Sequence, residues 1–313
     1  MIEIKVKDFN LDHIFDCGQC FRWNKDEDGS YTGVAFGKAA NMRFVSEEES
    51  KGCESSGGIS ARYRGTLYID MLNLSEEDGD ADGEIKRMTE IWSDYLDLKQ
   101  DYSKVKTILA AKDQVMSCAI CSGHGIRILR QEPWEALISF IVSQNNNIPR
   151  IKKCIEGLCE CFGEPLGEYR GKQRYAFPRA EVLANLTEED LAPIRLGYRS
   201  KYIINTAKQV VADGGEEKLR CLRDAELQEG YDYLTSLCGV GPKVANCILL
   251  FGICKQESFP IDVWVKRVMN RLYGIDENNM KAMKCYAEET FGEHGGIAQQ
   301  YLFYHIRQMD SAQ

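Results

Sequence analysis

The chain begins MIEIKVKDFN, without the apolar stretch of a signal peptide, and no run within its 313 residues is long enough to cross a bilayer. Both absences argue against secretion and against membrane insertion. The expected location is the cytoplasm, at the nucleoid, for a prokaryotic chain and the nucleus for a eukaryotic one. Positive charge is also in short supply: 39 Lys+Arg stand against 48 Asp+Glu, a formal net charge of −9, which speaks at first against a nucleic-acid partner. The deficit is uneven. Residues 1–120 hold 15 Lys+Arg and 23 Asp+Glu, which leaves 24 and 25 for residues 121–313. A nearly neutral half can still carry a basic face, and the field at the contact surface is what neutralises phosphates.

Two metal-like patterns are each missing something. Cysteine is plentiful at 13 residues, but the odd number, the length of the chain and the absent leader exclude a disulfide framework, so buried thiols are expected. Cys17/Cys20 and Cys118/Cys121 have zinc-like C-x-x-C spacing, yet Cys20 lies within GQCFRW, which reads as a strand, and no metal is expected there. Asp78-x-Asp80-x-Asp82-Gly83 opens like a calcium loop, but Thr89 occupies the twelfth position where a bidentate glutamate belongs and Glu90 comes one residue late. A solvated acidic linker that caps the next helix is the better reading.

What is present divides into an α+β chain. CFRWNKDEDGSYTGVAFGKAANMRFV and ARYRGTLYIDML are β-branched and aromatic runs broken by Gly, Asn and Asp, which predict an antiparallel sheet. A helix follows through Ile85, Met88, Ile91, Trp92 and Leu96, and from there the pattern is almost wholly helical. The expected domains are residues 1–120, the sheet with its acidic linker and helix, and residues 121–313, an all-helical unit. In the latter, Pro133 starts PWEALISFIVSQ, the triplet Asn145-Asn146-Asn147 turns the chain, and Pro149 opens a helix that closes at Gly163.

The most informative stretch is SLCGVGPKVANCILLF. It reads as two helices joined by a tight turn: Gly239 and Gly241 flank Val240, and Pro242 suits the first position of the second helix. Free backbone N–H groups at such a helix start form an anion site, and a phosphate backbone is the obvious anion. Lys243 sits in the first turn, where the positive end of the helix and partial burial both disfavour a charged amine. A neutral amine is a nucleophile able to form a Schiff base with an aldehydic sugar carbon, although a lysine there could equally snorkel. Cys247 shares its face one turn on. Asp262, after Pro260 and ahead of an apolar-periodic helix, reads as an N-cap, and a carboxylate held there facing Lys243 would stabilise a sugar cation or relay protons. Gln299 and Phe303 lie at i,i+4, an amide and a ring suited to read and stack an extruded base, or else a boundary residue and a core residue.

In order, GQCFRW, SFIVSQNNNIPRI, LGYRSKY, LCGVGPKVANCILL, PIDVW and AQQYLFYHIRQ resemble the 8-oxoguanine DNA glycosylase/AP lyases of the helix-hairpin-helix superfamily. The resemblance covers nearly the whole chain. It implies an α+β fold with an N-terminal antiparallel sheet and an all-α glycosylase domain, and a bifunctional enzyme that excises 8-oxoguanine opposite cytosine and nicks the abasic site. It further implies that Lys243 attacks C1′ with Asp262 assisting, that the Gly18 carbonyl detects the N7–H of the lesion, that Gln299 reads its Watson–Crick edge, and that Cys247 and Phe303 sandwich the ring. Asn145 would fill the gap left by the base, Tyr198 would wedge the stack, Arg150 and Arg199 would hold the estranged cytosine, and Gly239, Val240 and Gly241 would grip phosphate. The partner is double-stranded DNA containing an oxidised guanine, met by a monomer with no required cofactor, although a monovalent or divalent cation on hairpin carbonyls would help hold DNA. Trp264 departs from the family, where a histidine stands two residues after the aspartate in eukaryotic members, and residues 46–60 have no clear counterpart. Only Cys254 and Cys285 follow Cys247, so the iron–sulfur cluster of a related branch is not expected. Two rivals stay open: a glycosylase for a different damaged base, and a non-catalytic DNA-binding module.

Overall fold

The computed structural model describes residues 1–50, 62–72 and 81–311. Alternation in IEIKVK and RGTLYIDM gives two of the five strands, β1 (Ile2–Lys7), β2 (Asn24–Lys25), β3 (Tyr31–Ala35), β4 (Lys38–Ser46) and β5 (Arg64–Met71), which form one antiparallel sheet in the order β1-β5-β4-β3-β2. One face is covered by the helix Ala81–Tyr95, which buries Met88 and Trp92 against the sheet, and the Trp23 indole donates to the Tyr95 hydroxyl at 2.8 Å. This core draws on residues between Ile2 and Leu96, with Leu129 inserted from the helical part. The second core runs through the remaining helices. It takes in Tyr102–Ala110 and Gln114–Ser122, the latter packed on the long helix Gly295–Ser311.

The expected strand at GQCFRW is corrected: residues 16–23 are loop. Its aromatic residues suggested a strand, but Phe21 is buried in the helical core and Trp23 in the sheet core, so the run crosses between two interiors. A buried glutamine takes the place of strand pairing. Gln19 donates to the carbonyls of Ile14 (2.9 Å) and Arg127 (2.8 Å), and its Oε1 accepts from the Leu129 N–H at 2.9 Å. The helical half also contains a hairpin that the sequence reading did not separate, β6 (Pro165–Tyr169) with β7 (Lys172–Tyr175). Its turn residues Arg170 and Gly171 both have positive φ, 51° and 72°, the twist a two-residue hairpin needs, but Arg-Gly lacks the usual Asn-Gly signature.

Cys17 and Cys20 are buried, and burial pushes the Cys17 thiol up to about 12; Cys118 and Cys121 are exposed. Among the described residues no group of three or more His, Cys, Asp or Glu is placed to hold a metal, and no helix is long and apolar enough to cross a membrane. Asp78 and Asp80 lie outside the described residues, and of residues 46–60 only the end of β4 and the short helix Glu47–Ser50 fall within them.

Candidate active site and nucleic-acid interface

Three clusters collect the residues singled out above. The first is built on the hairpin's second helix, Pro242–Phe251, which packs its apolar side into the core and leaves Lys243 half-buried at its start. The ammonium of Lys243 lies over the Phe140 ring, 5.5 Å from the centroid, and Phe140 in turn stacks on Phe251 and meets Phe21 edge-on. Cys247 is buried one turn away, its thiol pushed up by burial and opposed by the hydrogen-bonded Lys243. Asp262 caps the helix Val263–Arg271, accepting the Val265 N–H at 2.8 Å, as read from the sequence. Burial raises its carboxyl above the ordinary range, against the pull of backbone N–H groups and of the Lys243 charge. Lysine, thiol and carboxyl therefore feel one another across a partly water-excluded site. Trp264, beside them, is covered by the Arg267 guanidinium at 4.7 Å.

The second cluster joins residues from opposite ends of the chain. Gly18, with φ +78°, faces the Phe303 ring so closely that a Cβ would stand 3.5 Å from it. Arg307, one turn beyond, lies 5.4 Å over the Phe303 ring and donates to the Asp16 carbonyl at 3.2 Å, tying that ring to the loop that carries Gly18. Gln299 is buried on the same helix, one turn before Phe303. Phe21, three residues after Gly18, connects this cluster to the first through Phe140.

The third cluster gathers the residues that the resemblance assigned to DNA contact, and it is centred on a residue the sequence reading passed over. Gln144 ends the helix Pro133–Ser143; its side chain donates to the Gly239 carbonyl at 2.9 Å, and its own carbonyl accepts from Arg199 Nε at 3.0 Å and from Arg199 Nη2. Asn145 follows with φ +46°, exposed, its carbonyl accepting from Arg199 at 3.0 Å. Arg199 is 5% exposed, and its guanidinium donates to the carbonyls of Leu196, Gln144 and Asn145, which fixes the turn. Tyr198 is 50% exposed and stacks edge-on with Tyr202, whereas Arg150 is exposed and donates to the Arg195 carbonyl at 3.2 Å.

The hairpin itself forms as its glycines predict. Gly239 has φ +78° and lies so near Tyr202 that a Cβ would meet the ring at 2.5 Å, while Val240 is buried. Gly241 is the N-cap and has no side chain to satisfy the first turn; Ala245 N–H returns to the Gly241 carbonyl, and Pro242 has no N–H to give. Among the described residues the amides of Lys243 and Val244 meet no acceptor and are the donors left at this helix start, a place suited to an anion. The signals for Gln144, Gln19 and Arg307 were weak because each acts through main-chain carbonyls far away in sequence.

Residues 1–137 match the family model for the N-terminal domain of 8-oxoguanine DNA glycosylase, and residues 138–291 match that for HhH-GPD superfamily base excision DNA repair proteins. The N-glycosylase/DNA lyase of Saccharomyces cerevisiae is 41% identical over 174 residues, 52% of this chain and 46% of that protein, so the match spans about half of each. An N-glycosylase/DNA lyase of Arabidopsis thaliana is 31% identical over 311 residues, 96% of this chain and 78% of that one. The 8-oxoguanine glycosylase/lyase of Clostridium acetobutylicum, solved with dsDNA containing cytosine opposite 8-oxoG, is 35% identical over 99% of both chains, with a TM-score of 0.82. With its sheet, its hairpin and its lysine–carboxyl pair in the matching regions, the chain belongs to the 8-oxoguanine DNA glycosylase/AP lyase family of the helix-hairpin-helix superfamily.

Proposed function

We propose that the protein is a bifunctional base-excision repair enzyme that extrudes 8-oxoguanine, opposite cytosine in double-stranded DNA, and cuts the strand at the resulting abasic site. The observation that carries this reading is the grouping of Lys243, Cys247 and Asp262 beside the hairpin's free N–H groups. The Lys243 amine attacks C1′; the N-glycosidic bond breaks with its electrons leaving on the base, which takes up a proton, and Asp262 offsets the positive charge that develops on the sugar. Opening of the sugar ring gives an imine at C1′. Loss of a C2′ proton then breaks the C3′–O bond and releases the 3′-phosphate, and water frees the lysine. Gly18 and Gln299 would read the flipped base between Cys247 and Phe303, while Asn145, Tyr198, Arg150, Arg199 and residues 239–241 hold the duplex. A monovalent or divalent cation at the hairpin belongs to the proposal as an aid to DNA binding only. The Cys238 and Gly239 carbonyls, each already accepting one side-chain donor, keep a second lone pair suited to a hard cation.

The test is borohydride trapping on a duplex carrying 8-oxoguanine opposite cytosine. A covalent adduct is expected from the wild type and none from Lys243→Gln. An adduct that survives in Lys243→Gln removes the nucleophile assignment; one formed only with another damaged base moves the substrate; none on any lesion favours a binding module.

A further inference from the structure

Next to Gln299 stands a second buried amide that the reading of the base does not use. Gln300 is 3% exposed, as is Gln299, and its Nε2 donates to Gln299 Oε1 at 3.1 Å. Among the described residues the Gln300 Oε1 has no hydrogen-bond partner, although it is buried, and the Gln299 Nε2 makes no hydrogen bond to the protein. One amide thus holds the oxygen of the other and leaves the NH₂ of Gln299, with the second lone pair of its oxygen, turned to whatever lies beside it.

This matters because a glutamine amide reads two different edges depending on which way it is turned. With NH₂ donating and oxygen accepting in this order, it pairs with the O6 and N1–H of a guanine edge. Turned over, it pairs with the N6–H₂ and N1 of an adenine edge. An unanchored amide does both. Here neither amide can turn alone, since turning Gln300 sets oxygen against oxygen and turning Gln299 sets NH₂ against NH₂. Turning both restores the bond but buries the Gln300 NH₂ without a partner, and an orphaned buried N–H is tolerated less often than an orphaned carbonyl.

We propose that Gln300 is a specificity-determining positioning residue, which locks the Gln299 amide in the orientation that accepts a guanine edge and refuses an adenine edge. The inference rests on the proposed role of Gln299 in reading the base. It is tested with duplexes carrying 8-oxoguanine or 8-oxoadenine, each opposite cytosine, because the two lesions share the oxidised imidazole ring and differ in the Watson–Crick edge. Single-turnover excision of each is measured for wild type, Gln300→Met and Gln300→Glu, with trapping on a preformed abasic site as the control for folding and for Lys243. The wild-type ratio should favour 8-oxoguanine. Gln300→Met, which frees the Gln299 amide, should lower that ratio by about tenfold or more. Gln300→Glu, whose carboxylate only accepts, should draw the Gln299 NH₂ toward itself and lower the ratio further or reverse it. Abasic-site trapping should stay at the wild-type level in both. Ratios that remain at the wild-type value in both variants overturn the inference. A wild type that traps an abasic site but excises neither lesion overturns the reading of the base and the inference with it.

Discussion

Asp262 both caps the helix Val263–Arg271 and interacts with Lys243, and one substitution separates the two roles. Asparagine caps as well as aspartate, so Asp262→Asn should leave the melting temperature within about 2 °C of wild type, while base excision under single turnover falls by roughly 10²–10³-fold. A melting temperature that drops along with activity would reduce Asp262 to its cap. The pH dependence has a definite sign. The folded carboxyl titrates above its unfolded value, so its contribution is fully present below the unfolded value and is lost as pH rises through the folded one. Asp262→Asn should therefore flatten the decline of stability across that window, read from urea midpoints at a series of pH values. Lys243, Asp262 and the Gln299/Phe303 pair were legible in the sequence because helix starts and i,i+4 spacing fix where such side chains emerge. Gln144 and Arg307 were not, because their partners are the carbonyls of Gly239 and Asp16, and a carbonyl acceptor leaves no mark on residue type.

At the scale of elements, the hairpin places two glycines under different constraints. Gly239 is left-handed and pressed against Tyr202, whereas Gly241 has ordinary φ and open space where a Cβ would go. Gly239→Ala should destabilise the fold by roughly 2–4 kcal/mol, from backbone conformation and overpacking together. Gly241→Ala should change stability by less than about 0.5 kcal/mol yet weaken binding to undamaged duplex, because the methyl stands where phosphate meets the helix start. Denaturant midpoints and binding titrations on both variants check this, and equal loss of stability would contradict it. The helices around the hairpin were predictable from capping residues and periodicity. The loop through GQCFRW was misread as strand, since a run of aromatic residues records burial and cannot tell a sheet face from two separate cores.

For the molecule as a whole, the charge distribution decides how DNA is held. Most of the net −9 lies in residues 1–120, and the residues proposed to hold the duplex include two arginines, of which Arg199 is buried, beside neutral donors such as the hairpin amides. Binding to undamaged duplex should therefore depend weakly on salt for a DNA-binding protein, with a slope of log affinity against log salt of no more than about 4 in magnitude. Arg150→Ala should reduce it by about 1. A slope near that of a strongly basic protein would place many more phosphate contacts than this surface offers. The antiparallel sheet and helical unit were readable as separate patterns, but their junction was not, since it depends on Gln19 and Leu129 reaching across.

The tie from Arg307 to the Asp16 carbonyl spans 291 residues. Translated from one end, the chain therefore acquires its hairpin and its proposed nucleophile while the wall proposed to inspect the base is still unmade. A nascent chain halted after the helix Pro242–Phe251 would carry the means of gripping a phosphate and an amine for sugar chemistry, with no means of telling a damaged base from an intact one. On the proposed reading, discrimination arrives only with the helix Gly295–Ser311.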